Sequence, residues 1–241
     1  MKKYTLAAAA VILLWTASAQ AQKRKRWEDI DSTGYFKKEV ITKKGYTLTF
    51  INTDSNFSAA TGERLKDLFW KVYPAELKRF NKQGRRNVTV AVTSEYKGVA
   101  AAMNGVIKID PSWVAKNPED IDLLTHELMH IAQGYAYESA PVWLTEGIAD
   151  YARFHFGKNN EQAKWSLTPF NEKHNYTNSY RIAARFLVWL EKNKKKNIVD
   201  QLNKAAREKT YTPELWKELA GADLDTLWNE YKANPNKGMV S

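Results

Sequence analysis

The sequence predicts an α+β fold, with a small N-terminal sheet and its helices followed by a largely helical C-terminal half. Three observations lead there. Tyr46 to Ile51 (YTLTFI) and the series Val88, Val90, Val92 alternate apolar with polar or small residues, the period of a half-buried strand. Asn104-Gly105 is a favoured pair for a tight type I′ turn, and it joins Val99–Met103 to Val106–Asp110 as a hairpin. Leu65, Leu68, Phe69 and Val72, and later Ile182, Ala183, Phe186, Leu187 and Leu190, recur at helical spacing.

In chain order, residues 1–21 have the form of a cleavable signal peptide. Met1-Lys2-Lys3 is basic, Leu6 to Trp15 is apolar but too short to span a bilayer, and Ala19-Gln20-Ala21 is an A-x-A cleavage site. The alternative is an uncleaved membrane anchor, which the short stretch and the cleavage site argue against. The mature chain is expected to start at Gln22 and to be secreted or periplasmic, with no stable membrane insertion. Residues 22–34, opening on Gln22 and Lys23-Arg24-Lys25-Arg26, read as a basic, disordered leader. Residues 35–241 read as a single domain, a length that can bury one substantial core.

Within the helix of residues 59–73, Pro74 is expected to kink or break the run, with Leu77 and Phe80 continuing its apolar face. Asn117 is placed to cap the next long helix, with Pro118 in its first position and Glu119 and Asp120 at the positive end of the dipole. From His155 to Asn178, Gly157, Pro169 and several Asn mark a long loop suited to wall a cleft. Its His174 reads as an ordinary solvated histidine. Residues 197–233 read as two or three short helices packed through Trp216, Leu219, Leu224, Leu227, Trp228 and Tyr231. Nine Trp invite a sugar-binding reading, but their helical spacing suits a core better.

The chemistry concentrates in residues 125–151, THELMHIAQGYAYESAPVWLTEGIADY. His126, Glu127 and His130 form an H-E-x-x-H motif. At about 100° per residue, His126 and His130 lie about 40° apart on one helix face and can converge on one ion. Glu127, beside them, suits a general base that holds a water without ligating the metal. A catalytic zinc wants three protein ligands and one open position. Gly134 is placed to stop the first helix and Pro141 to open a second. On that second helix Glu146 and Asp150 share a face, Glu146 as third ligand and Asp150 as acceptor for the outward N–H of a ligand histidine. An extended H-E-x-x-H-x-x-G-x-x-H motif fails at Gln133 and Ala136. His155 lies about 180° round the helix from Glu146 and should face away.

These residues resemble a known family. LLTHELMHIAQ, WLTEGIADYAR and, less specifically, SYRIAARFLVWL are similar to the basic secretory protein peptidases of plants and bacteria, zinc enzymes of the thermolysin-like (gluzincin) clan. The resemblance spans residues 35–230 and implies a zincin-like fold. It implies zinc ligands at His126, His130 and Glu146, and a general base at Glu127. It also implies that the hairpin before the motif forms a sheet edge along the cleft, where an extended peptide can add as a strand. Its third block makes Tyr180 a candidate stabiliser of the oxyanion; the alternative is a Tyr packed at a helix end.

Composition bounds the rest. The chain has 241 residues and a formal net charge of +10, and it stays basic once Lys2 and Lys3 leave. It has no Cys, which excludes disulfides, a lipid-anchored lipoprotein, a Cys nucleophile and a Cys-ligated metal. The basic balance suits anionic cell-envelope polymers, but the lysines are dispersed and no nucleic-acid motif accompanies them. The expectation is therefore an exported, monomeric zinc peptidase acting on peptide or protein substrates. The competing expectation is a non-catalytic exported protein that binds anionic polymers, with zinc held in a closed structural site.

Overall fold

The computed structural model describes residues 26–239. The expected signal peptide and residues 22–25 of the leader lie outside the described residues. Of the rest of the leader, residues 27–29 touch the sheet and its hairpin turn. Trp27 stacks under the Lys108 ammonium, Asn104 bonds Glu28, and the Asp29 carbonyl accepts from Lys108 at 3.2 Å.

Five strands form one mixed sheet in the order β1-β2-β3-β5-β4. They are β1 (Lys37–Lys43), β2 (Tyr46–Asn52), β3 (Asn87–Val92), β4 (Ala100–Met103) and β5 (Val106–Ile109). β1 pairs antiparallel with β2, β2 and β3 are parallel, β3 and β5 are parallel, and β4 turns back antiparallel on β5. The hairpin turn at Asn104 and Gly105 has positive φ at both residues, as a type I′ turn requires. β1 was not foreseen: it is a charged edge strand, exposed along most of its length, without apolar alternation.

The parallel β2–β3 crossover is α1 (Ala59–Phe80). Ser58 caps it by accepting from Thr61 N. Pro74 does not break it. Leu65, Leu68, Phe69, Val72, Tyr73, Leu77 and Phe80 are all buried, so packing on both sides of Pro74 outweighs the one backbone hydrogen bond it removes.

After β5 comes a short helix the sequence reading lacked, α2 (Pro111–Lys116), capped by Asp110 with Pro111 in its first turn. Asn117 closes this helix and does not open the next. The motif helix α3 begins six residues later (Leu123–Gln133). Asp122, at its start, does not cap it. The Asp122 carboxylate instead accepts from the N–H groups of Lys158 and Asn159 and from Thr125 Oγ1. That shared, buried carboxylate pins the far loop to the helix start, and no such contact is visible in local sequence. Gly134, at φ +55, ends α3.

α4 (Val142–Phe156) begins just after Pro141, and α5 (Tyr180–Asn193) packs closely against it. A Cβ on Gly147 would lie 2.8 Å from the Ala183 Cβ, so the two helices meet at this glycine. The C-terminal part is α6 (Ile198–Glu208), α7 (Leu215–Ala220) and α8 (Leu224–Ala233). Trp143, Trp189, Trp216 and Trp228 are buried in the core, in agreement with the packing reading. No helix among the described residues is long and apolar enough to cross a membrane.

Candidate metal centre and cleft

α3 and α4 present three side chains to one point. His126 Nε2 and His130 Nε2 are 3.1 Å apart, and Glu146 Oε2 lies 3.2 Å from the first and 3.4 Å from the second. A tetrahedral ion with bonds of about 2.0–2.1 Å spaces its ligands about 3.3–3.4 Å apart. The triangle therefore has the size of one face of a zinc tetrahedron. Among the described residues these three alone group as His, Asp or Glu donors able to share an ion. The donor set, two imidazoles and a carboxylate, suits zinc.

Both rings are held from behind. His126 Nδ1 lies 2.7 Å from Asp150 Oδ1, and His130 Nδ1 lies 2.8 Å from Gln133 Oε1. Gln133 in turn donates to the Thr145 carbonyl at 2.9 Å, tying α3 to the start of α4. Each pairing leaves Nε2 as the nitrogen aimed into the cleft. The sequence reading used Gln133 only to exclude a longer motif. Its signal was available, because residue 133 sits three positions after His130 on the same helix.

Electrostatics follow from burial and the crowd of carboxylates. Burial alone would depress His126, but Asp150 and Glu146 hold its imidazolium up to about 10. Burial would raise Glu146, yet the two imidazoles hold it well below the carboxylate range. Glu127 is buried beside them, and desolvation lifts its carboxyl above the ordinary value. Among the described residues no Lys or Arg is ion-paired with Glu127, Glu146 or Asp150; the ion-pair partners of these acids are imidazoles, His126 with Glu146 and Asp150 and His130 with Glu146.

The three donors open into a cleft of about 1170 Å³. One wall is the β4 edge, Ala100 to Ala102, with Tyr96 and Val99 at its head. At one end lie Trp113, Asp120 and Trp165, with Arg153 paired to Asp120 beneath the Trp165 ring. The Trp165 stretch belongs to the loop expected to wall the cleft. Tyr180 stands opposite, its ring stacked on His126 at 6.1 Å between centroids. Ser179 and Tyr180 both have positive φ, a sparsely populated backbone that holds this ring over the site. The charge of Glu146, then burial, raises the Tyr180 phenol, keeping it a proton donor at neutral pH.

The remaining histidines stay apart. His155 points to the other side of α4, its ring tilted against Tyr151 at 4.3 Å between centroids and lying 3.8 Å from Glu191 Oε2. His174 joins no donor group among the described residues. Glu76, on α1, was not anticipated: it is fully buried without a hydrogen-bond partner, and desolvation raises its carboxyl well above the ordinary range.

The model of a family described as peptidases of plants and bacteria matches residues 43–231. A search of the curated proteins found no match. Among solved structures, an M1 zinc metallopeptidase from Deinococcus radiodurans superposes with a TM-score of 0.51 at 14% identity, covering 81% of this chain and 51% of that one. A substituted form of that enzyme bound to a Tyr-Ser-Ala substrate matches with a TM-score of 0.49 at 15% identity and the same coverage. The chain thus spans about half the length of these structures. The first likeness shows a shared fold: an α+β domain with a small mixed sheet, similar to M1 metallopeptidase domains. The family match covers most of the chain, and the chain belongs to the BSP family, the peptidases of plants and bacteria.

Proposed function

We propose that the chain is an exported zinc-dependent peptidase whose metal is held by His126, His130 and Glu146. The observation that carries this reading is the 3.1–3.4 Å donor triangle, open on its fourth side to a cleft. A closed structural site would need a fourth side-chain ligand, and among the described residues the group has three. Export rests on residues 1–21, which have the form of a signal peptide, followed by a short leader and one domain from residue 35.

Bound there, zinc would polarise a scissile carbonyl and lower the pKa of a water. Glu127 accepts the proton of the attacking water and returns it to the leaving amine. Its burial, which favours the protonated form, suits a group that must give the proton back. The Tyr180 hydroxyl donates to the oxyanion. Asp150 and Gln133 fix the two imidazoles, and the β4 edge offers backbone hydrogen bonds to an extended substrate.

The test is zinc content and casein cleavage, wild type beside Glu127→Gln. One zinc per chain in both, with cleavage only in the wild type, is the expected result. A fully active Glu127→Gln would refute the general-base assignment.

A further inference from the structure

β4 is an edge, so half of its backbone groups face the cleft. Its neighbours fix which half. The Gly105 and Ile109 carbonyls accept from Thr89 N and Thr93 N on the β3 side, so odd-numbered residues around β5 turn toward β3 and even-numbered ones toward β4. Asp110 N accordingly donates to Val99 O at 3.1 Å. Ala101 pairs with Lys108 and Met103 with Val106, which leaves the N–H and C=O of Ala100 and Ala102 turned outward to the cleft.

One of those outward groups is already taken. The Tyr96 hydroxyl donates to Ala100 O at 3.0 Å. The loop is shaped for this contact: Gly98 has φ +139, and a Cβ on it would lie 3.3 Å from Tyr96 Oη. Asp110 Oδ2 holds the Gly98 N–H at 3.3 Å. Among the described residues no side chain bonds Ala102 O.

We propose that Tyr96 selects substrates at the backbone level. The substrate residue whose nitrogen faces Ala100 O needs no N–H, so the site accepts proline, or another N-substituted residue, at that place. This rests on reading the cleft as a peptide site with β4 as its docking edge. An extended peptide puts successive outward N–H groups against Ala102 O and Ala100 O. Proline opposite Ala102 leaves an acceptor unmet and breaks the ladder. Proline opposite Ala100 leaves nothing unmet, because Tyr96 already satisfies that carbonyl. A residue with an N–H there shares the carbonyl with the hydroxyl and gains less from its bond than it would at a free acceptor. Tyr96 is thus a positioning residue that sets specificity.

The experiment takes a sequence cleaved by the zinc-loaded wild type from a peptide library and places proline at each position in turn. A parallel series replaces single N–H groups by ester oxygen, removing the donor without the ring. KM and kcat are measured for wild type and Tyr96→Phe. Two positions two residues apart should differ: one loses about tenfold in kcat/KM and the other less than about twofold, the scale of one hydrogen bond. Tyr96→Phe should favour the parent peptide over the tolerant-position variant several-fold through KM, with the ratio at the other position unmoved. General damage to the variant would shift both ratios alike. Equal penalties at both positions, or an unmoved ratio in Tyr96→Phe, would overturn the assignment of Tyr96 alone. Failure of the wild type to cleave any library peptide would overturn the peptidase reading and this inference with it.

Discussion

Helix α4 carries two polar clusters on opposite faces, each with a buried or half-buried histidine among carboxylates. On one face Glu146 and Asp150 meet His126 and His130. On the other, Tyr151 and His155 meet Glu191, Asp200 and Arg79. The difference is the guanidinium. Arg79 donates to both oxygens of Asp200 at 3.0 and 2.9 Å, to Glu191 Oε1 at 2.9 Å and to the Tyr151 hydroxyl at 2.7 Å. Tyr151 then donates to Glu191 Oε2 at 2.6 Å. The guanidinium closes that cluster from within. The first cluster has its carboxylates, converging lone pairs and no paired Arg or Lys. The acids of the first cluster are met by imidazoles alone, and Glu146 aims at one point with the two Nε2 atoms, which is why the metal is proposed there and not beside Arg79.

The contrast can be broken or sharpened by substitution. The largest effect is expected from His130→Ala, which removes a proposed ligand. Zinc affinity should fall more than about a thousandfold, since outer partners alone are worth about 10–100-fold. Metal content after dialysis checks this, with folding followed by circular dichroism. Arg79→Met should do the reverse: full zinc content, but a loss of about 2–3 kcal/mol in urea unfolding. That is somewhat less than for a fully buried pair, because Arg79 keeps partial solvent contact. Zinc loss from Arg79→Met would undo the separation of the two clusters.

Next in size is Asp150→Asn, which keeps the ring contact of His126 but removes a charge. Zinc affinity should drop about 10–100-fold, measurable with a competing chelator. Acidification acts in the same direction. The acids hold the His126 imidazolium up to about 10, so zinc must displace a proton throughout the neutral range. Apparent zinc affinity should rise with pH up to about 10, by about tenfold per unit, and a flat profile between pH 6 and 9 would contradict it. His155 has the opposite sign. Burial, assisted by Arg79, depresses it below 6.5, so the folded state loses stability only as pH falls through and below that value. His155→Gln should therefore change stability by under about 1 kcal/mol and leave zinc binding intact.

The two clusters also differ in how legible they were. Both zinc-side blocks are local: His126 and His130 sit one helical turn apart, as do Glu146 and Asp150, so periodicity alone puts each pair on a face. Their convergence needed only two helices and a short loop. The partners of Arg79 lie 72 to 121 positions from it, and no local pattern announces them. Tyr96 was missed for a related reason. Its role depends on which carbonyls a sheet edge turns outward, and that is fixed by the β3–β5 register. The start of α3 was misplaced because Asn117-Pro118 looks like a helix opening, while the true boundary depends on Asp122 binding a loop about 36 residues away.

The most direct test of the central claim is a calorimetric zinc titration of the wild-type chain beside Glu146→Gln. That change keeps the shape of the side chain and removes the charge that faces the two imidazoles. One tight site per chain in the wild type, weakened more than about a hundredfold in the variant, is the result this account predicts. Equal zinc affinity in the two proteins would contradict it.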